Sequence, residues 1–247
     1  MIEYLDLYFI KIPTFGLMVA SAFLVCHYLL KKEFIKRQLE VKIIDDIIFY
    51  SVIAAIIGSK LYFVIEAGIF SEFLTNISNI FKSLFSFEFS NMFKELQSFG
   101  SGLTFNGGFI CAVLFIYTYI YMKKLKFLEL ADIITPFILL GHGIGRIGCF
   151  LVGDDYGIPT KLPWGVTFFN GHPESTITTF TTQYSFLGYD VVHLKEFLVE
   201  GSDNFITVHP TQFYEMCLYF LCFYILRRLY NNKNFETGYI FSLYLIF

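Results

Sequence analysis

GHGIGRIGCFLVGDDYG, residues 141–157, closes an apolar run that begins at Ile133 and carries a single arginine, Arg146, in its interior. A charge inside such a run is costly, so it faces a cavity, a partner or a ligand. Ile133–Val152 is also about as long as a helix must be to cross a bilayer, roughly 20 mostly apolar residues. On a helix, His142, Arg146 and Cys149 fall at i, i+4 and i+7 and share one face. Gly141, Gly145 and Gly148 make a smooth neighbouring face that a backbone or a lipid tail can approach closely. Asp154 and Asp155 follow at the far end. Six glycines around one arginine, closing on an acidic pair, are more than a structural salt bridge needs. An ion pair that only holds a bundle together is the competing reading. The planar fork of a guanidinium suits a phosphate diester, and a phospholipid is the phosphate-bearing molecule at that depth.

The rest of the chain agrees with a membrane setting. Of 247 residues, 55% are hydrophobic, 20% aromatic and only 16% charged, where soluble chains carry about a quarter charged residues. A net charge of −3 gives no basic field, so nucleic acid is not an expected partner. Further apolar runs lie at Ile12–Leu30, Ile43–Ile65, Leu103–Met122 and Phe213–Leu226, and a last one starts at Tyr239 and reaches the final residue, Phe247. The first has acids before it and a basic cluster after it, the reverse of a signal peptide's flanks, so it reads as a retained span. The expected fold is an all-α polytopic membrane protein, a single membrane domain over residues 1–247 with about six spans, the last incomplete.

Basic residues orient it. Lys31, Lys32, Lys36, Arg37 and Lys42 follow the first span, Lys123, Lys124 and Lys126 the third, and Arg227, Arg228 and Lys233 the fifth. By the positive-inside rule the N-terminus and loops 66–102 and 153–208 are then external. Ile80, Phe81, Leu84, Phe85 and Phe89 outline one face of an amphipathic arm, lying in the interface or packed on the bundle. Residues 160–208 mix Thr, Phe, Gly and Pro with β-branched residues, as a small external cap with some strand character would. The five cysteines, Cys26, Cys111, Cys149, Cys217 and Cys222, lie in apolar runs without a CxxC pair, so neither disulfides nor a metal is expected.

GRIGCFLVGDDYG closely resembles the signature of the prolipoprotein diacylglyceryl transferases, GR-x-G-N-F-x-N-G-E-x-x-G. Three other segments resemble that family in the same order: GLTFNGG at 102–108 its G-x-S-F-H-G-G, LADIITP at 130–136 its buried-aspartate segment, and HPTQFYE at 209–215 its H-P-S-Q-L-Y-E. The resemblance implies transfer of the diacylglyceryl group of phosphatidylglycerol to the lipobox cysteine thiol of a preprolipoprotein signal peptide in the bacterial inner membrane. It implies no cofactor and no metal. On this chain it assigns phosphate binding to Arg146, with Asp154, His209 and Tyr244 as further catalytic candidates. Asn106, Gly107, Gly108, Asp132, His142, Cys149, Gly153 and Gly157 become candidates for contact with substrate or membrane lipid. From its own chemistry, His209 suits a proton acceptor near the surface or a polar residue at a helix start.

The sequence also departs from the family. Asn106 stands where the family has a catalytic histidine, and an amide cannot act as a general base. Phe15 replaces an early tyrosine, and Cys149 an asparagine. The family's second phosphate-binding arginine and a glutamate fall beyond Phe247, which predicts weak turnover or none for the polypeptide as written. The alternatives to an enzyme are a noncatalytic lipid-binding paralogue of the same fold and a small-molecule transporter. The paired, broken helices of transporters have no counterpart in this sequence.

Overall fold

The computed structural model describes residues 2–7, 10–86, 104–231 and 235–246. Its elements, in chain order, start with an antiparallel hairpin of β1 (Tyr4–Leu7) and β2 (Ile10–Pro13), with Tyr4 opposite Pro13 and Leu7 opposite Ile10. Helices α1 (Thr14–Lys36), α2 (Val41–Ala67), α3 (Phe70–Phe85), α4 (Phe105–Met122) and α5 (Phe127–Val152) follow. Two short helices, α6 (Ile177–Thr182) and α7 (Val191–Leu194), precede α8 (Thr211–Asn231) and α9 (Tyr239–Ile246).

The protein is an all-α polytopic membrane protein. By length and apolar composition α1, α2, α4 and α5 can each cross a bilayer. They expose Phe23, Leu24, Phe49, Ile56, Ile65, Phe109, Tyr117 and Tyr121, a surface that suits lipid rather than water. The fifth and sixth expected spans are helical too, as α8 and α9, but do not meet the same measure. The ends of α8 carry Gln212, Glu215, Arg227 and Arg228, and described α9 has eight residues. Of the expected external arm, α3 supplies a helix, while Phe89 lies outside the described residues.

Contacts group the chain into two compact units, residues 37–127 and residues 1–36 with 128–247. In the first, α2 packs on α4 at the closest range two helices allow. A Cβ on Gly58 would stand 2.4 Å from the Gly107 carbonyl oxygen, one on Gly107 2.3 Å from that of Gly58, and one on Gly108 2.4 Å from Ser59 Oγ. Gly107 and Gly108 of the third span are therefore the small-residue face that lets these backbones meet. Helix α2 ends at Gly68, whose φ of +66° is the left-handed conformation that glycine adopts without cost.

In the second unit, α5 is the central element, and both α1 and α8 pack on it. Gly148 faces Phe15 and Met18 of α1, and a Cβ on Gly143 would stand 2.5 Å from the Phe220 ring of α8. The N-terminus is tied to the end of α5 by Ile2 N–H donating to Leu151 O at 2.9 Å. Residues 153–208, the expected cap, carry a core of Tyr156, Phe168, Ile177, Phe180, Leu194, Ile206 and Val208. Its expected strand character is limited, among the described residues, to isolated bridges such as Val166 with Val208 and Leu198 with Ile206. Ser175 is fully buried there, where its hydroxyl accepts from Phe168 N–H and donates to Ile206 O. The cap's helices begin at side-chain caps: Thr176 accepts from Thr179 N–H and Asp190 from His193 N–H.

Candidate functional site

The last three turns of α5 bring His142, Arg146 and Cys149 onto one face, as their spacing predicts. Arg146 Nη1 donates to Asp155 Oδ2 at 2.9 Å and contacts Cys149 Sγ at 3.5 Å. Its Nε pairs with the Glu215 carboxylate from the first turns of α8. Nη2 donates no hydrogen bond to a described residue. The arginine side chain is 26% exposed, against 65% for Asp155 and 39% for Glu215. Arg146 therefore has counter-ions, as the structural reading required, and still keeps part of its fork and some open surface.

Two sequence motifs about 60 residues apart lock together at this end of the bundle. The α5 helix stops at Gly153, whose φ is +78°, and Asp155 follows at φ +52°. The strand-like segment 157–158 then pairs with His209: Gly157 N–H donates to His209 O at 2.8 Å and His209 N–H to Ile158 O at 3.0 Å. A Cβ on Gly157 would stand 2.7 Å from Thr211 Cγ2 and 3.0 Å from His209 Cβ, so only glycine fits. Thr211 Oγ1 donates to Asp155 O at 2.6 Å, and Gln212, fully buried, donates through Nε2 to Asp154 O. The HPTQFYE segment is thus the brace that fixes both aspartates after Arg146.

The aspartates are not equivalent. Asp155 reaches the guanidinium. Asp154 is turned inward, and its Oδ1 and the Oε1 of Gln212 are buried with no hydrogen-bond partner among the described residues. Burial, the largest cause, pushes the Asp154 carboxyl above the usual carboxylate range, and Asp155 adds to it, while Cys149 and Arg146 act against it. Cys149 Sγ and the two carboxylates lie within 4.8 Å of one another, a grouping that could hold a metal ion. The Arg146 guanidinium already supplies positive charge to that grouping.

His209 sits beside this cluster at the start of α8. Its Nδ1 lies 3.1 Å from Tyr214 Oη, and Trp164 Nε1 donates to the same oxygen at 2.8 Å. His142 lies further along α5 with its ring edge-on to Tyr219, centroids 5.3 Å apart.

With this geometry in place, comparison with known proteins is direct. The sequence pattern of the family described as prolipoprotein diacylglyceryl transferase matches residues 3–247. The chain belongs to that family. A protein of Clostridium tetani is 31% identical over 241 residues, covering 98% of this chain and 78% of that protein. A Finegoldia magna protein is 29% identical over 96% of the chain and 75% of its own length. One from Prochlorococcus marinus is 30% identical over 98% and 74%. All three are named phosphatidylglycerol–prolipoprotein diacylglyceryl transferase.

Not every residue that the family resemblance nominates lies at Arg146. Asp132 is buried and accepts from Gly238 N–H at 2.6 Å and Phe241 N–H at 2.8 Å, so it caps the start of α9. Fourteen residues of helix, roughly 21 Å, separate it from Arg146, and its observed role is structural. Tyr244 is half-buried against the cluster of Leu139, Cys222, Leu226 and Ile240 rather than beside the arginine. Asn106 is exposed in the first turn of α4, and Gly107 and Gly108 are buried against α2. Conversely, the sequence nominated neither Asp155 nor Glu215 as partners of Arg146. The signal was present, since one closes the DD pair and the other closes HPTQFYE, but only the docking of the two motifs selects them.

Proposed function

We propose that this chain transfers the diacylglyceryl group of phosphatidylglycerol to the lipobox cysteine thiol of preprolipoprotein signal peptides, the first step of lipoprotein maturation. In that reaction the cysteine sulfur bonds to the glyceryl carbon, the bond from that carbon to the phosphate oxygen breaks, and glycerol phosphate leaves. The observation that carries the reading is Arg146. It stands near the end of an apolar, membrane-length helix, with Nη2 donating to no described residue and with Nη1 and Nε held by Asp155 and Glu215. A guanidinium so fixed is preorganised to hold a lipid phosphate and to stabilise the charge that grows on the leaving group. The printed names of the relatives support the same chemistry.

The thiol proton needs an acceptor. His209 is the candidate on the rim of this cluster, with Nδ1 engaged by Tyr214 and Nε2 left for substrate. Asp154 contributes a buried carboxyl, His142 and Cys149 line the same helix face, and Gly153 and Gly157 allow the backbone path on which the motifs dock. Asn106 offers an amide to a headgroup or membrane lipid but no base. The three basic clusters support an inner-membrane orientation with the N-terminus and the cap outside, on the side where lipobox peptides emerge.

The test is a mass-tag assay with the purified chain, phosphatidylglycerol and a lipobox peptide, run beside Arg146→Ala. Transfer that depends on Arg146 supports the enzyme. Transfer that survives the substitution undamaged removes the arginine from the mechanism. Lipid binding without transfer favours the noncatalytic paralogue, a reading to which Asn106 gives its specific support.

A further inference from the structure

Arg146 in the unliganded protein is held by two carboxylates that differ in how firmly they are themselves held. Glu215 stands on the regular helix α8 and presents Oε2 from a buried position. Asp155 stands in the turn after α5, two residues from Gly153, and its carboxylate is 65% exposed. Its backbone has φ +52°, a conformation that L side chains adopt rarely and aspartate and asparagine more readily than most. Its carbonyl is anchored by Thr211 Oγ1 at 2.6 Å, so the backbone is fixed while the carboxylate alone is free to turn outward. Asp154, Asp155 and Glu215 surround one guanidinium, leaving the site's formal charge negative while all three carboxyls are ionised. An anionic headgroup therefore meets repulsion from the groups that hold its binding residue.

We propose that Asp155 is a displaceable counter-ion of Arg146 that sets the enzyme's affinity for lipid phosphate: it occupies the guanidinium while the site is empty and swings away when a phosphodiester takes its place. The position is an internal competitor. A ligand that binds only when the counter-ion is turned away has its affinity scaled down by the fraction of molecules in that open conformer, and an exposed ion pair is weak enough to yield. Glu215, on its helix, stays on Nε throughout and keeps the fork oriented. The Asp155 carboxylate, once turned outward, stands beside the headgroup rather than under it. The ligand class is an anionic phosphodiester, and the proposal rests on the reading that Arg146 holds the lipid phosphate.

The experiment measures equilibrium binding of short-chain phosphatidylglycerol to the full chain in detergent, for wild type, Asp155→Asn and Arg146→Ala, with inorganic phosphate as a competing probe in each. Asparagine keeps the size of the side chain and tolerates the backbone conformation, so Asp155→Asn removes the charge alone. The expected result is tighter lipid binding by Asp155→Asn, by about two- to fivefold, the range an exposed ion pair carries, and weaker binding by Arg146→Ala. Inorganic phosphate then displaces lipid from wild type and from Asp155→Asn, showing that the shared chemistry is the phosphate. Lipid binding by Asp155→Asn that is unchanged or weaker, with Arg146→Ala still impaired, overturns the counter-ion role and leaves the phosphate reading intact. Binding by Arg146→Ala equal to wild type removes the phosphate reading itself, and the proposal with it. Destabilisation alone does not raise affinity, which separates the expected gain from a general structural effect.

Discussion

Arg146 and Arg227 stand near opposite ends of the α1–α5–α8 bundle, and the two are treated differently. Arg227, near the end of α8, pairs with Glu33 of α1, whose side chain is 2% exposed, and its guanidinium lies 5.1 Å over the Phe137 ring. Arg146, near the end of α5, pairs with Asp155 and Glu215, which are 65% and 39% exposed. The two arginine side chains are about equally exposed, 25% and 26%, so the contrast lies in their acids: Arg227 is held by a buried glutamate and an aromatic face, and its pair joins two helices. Arg146 is partnered at an open rim, and its pairs join a helix end, a turn and another helix. Chemically alike groups thus serve opposite ends: the acid of one is buried where exchange is costly, while Asp155 on the other is exposed where exchange with a ligand is cheap.

The largest expected effect lies at the closed pair. Glu33→Ala leaves the Arg227 charge uncompensated and is expected to lower stability by about 3–5 kcal/mol. Thermal melting in detergent, followed by helical circular dichroism, checks it; a melting temperature equal to wild type would erase the contrast between the two ends. Next is Arg146→Ala, expected to reduce transfer by about 10²–10³, the size that one preorganised charge-stabilising group carries, while melting stays close to wild type. If instead the protein melts much earlier, the Arg146 end is as structural as the other.

Asp132→Ala is third. It removes both hydrogen bonds that hold the start of α9, each accepted by a buried carboxylate, at a cost of about 2–3 kcal/mol. Faster hydrogen exchange at Gly238 and Phe241 is the readout, and protection unchanged there argues against the cap.

The smallest effect is a pH dependence. The folded Asp154 carboxyl is raised by burial, so its contribution to stability is present below the unfolded carboxylate range and is lost as pH rises through the raised value. Asp154→Asn is expected to flatten that dependence above pH 4. Melting curves of the variant and wild type that remain parallel between pH 4 and 8 would show that Asp154 is not desolvated at all.

Much of this was legible in advance because membrane helices announce themselves through length. The runs at Ile43–Ile65 and Leu103–Met122 correspond to α2 and α4 within a few residues, and the final helix stretch begins at Tyr239 as read. Arg146 stood out because a charge within an apolar run has few explanations. Other nominated residues have protein neighbours of their own. Asp132, Gly107 and Gly108 were nominated for ligand contact on family resemblance, and in the structure they meet the backbone N–H groups at the start of α9 and the backbone of α2. A motif records that a residue type is needed at a position, and the need is as well met by a buried N–H as by a substrate.

What the sequence by itself determined is the solvent of this protein, the helices that can cross it and the one arginine that needs a special partner. Each follows from local quantities: the count of apolar residues in a run, the sign of the flanking charges, the cost of a charge in hydrocarbon. Only the tertiary structure decided which acids meet that arginine, that Asp155 rather than Asp154 reaches it, and that HPTQFYE braces the turn after α5. Those outcomes depend on the close approach that Gly157 allows and on how far each carboxylate is buried. Both are properties of elements packed together across some 60 residues of intervening cap, and no local pattern encodes them.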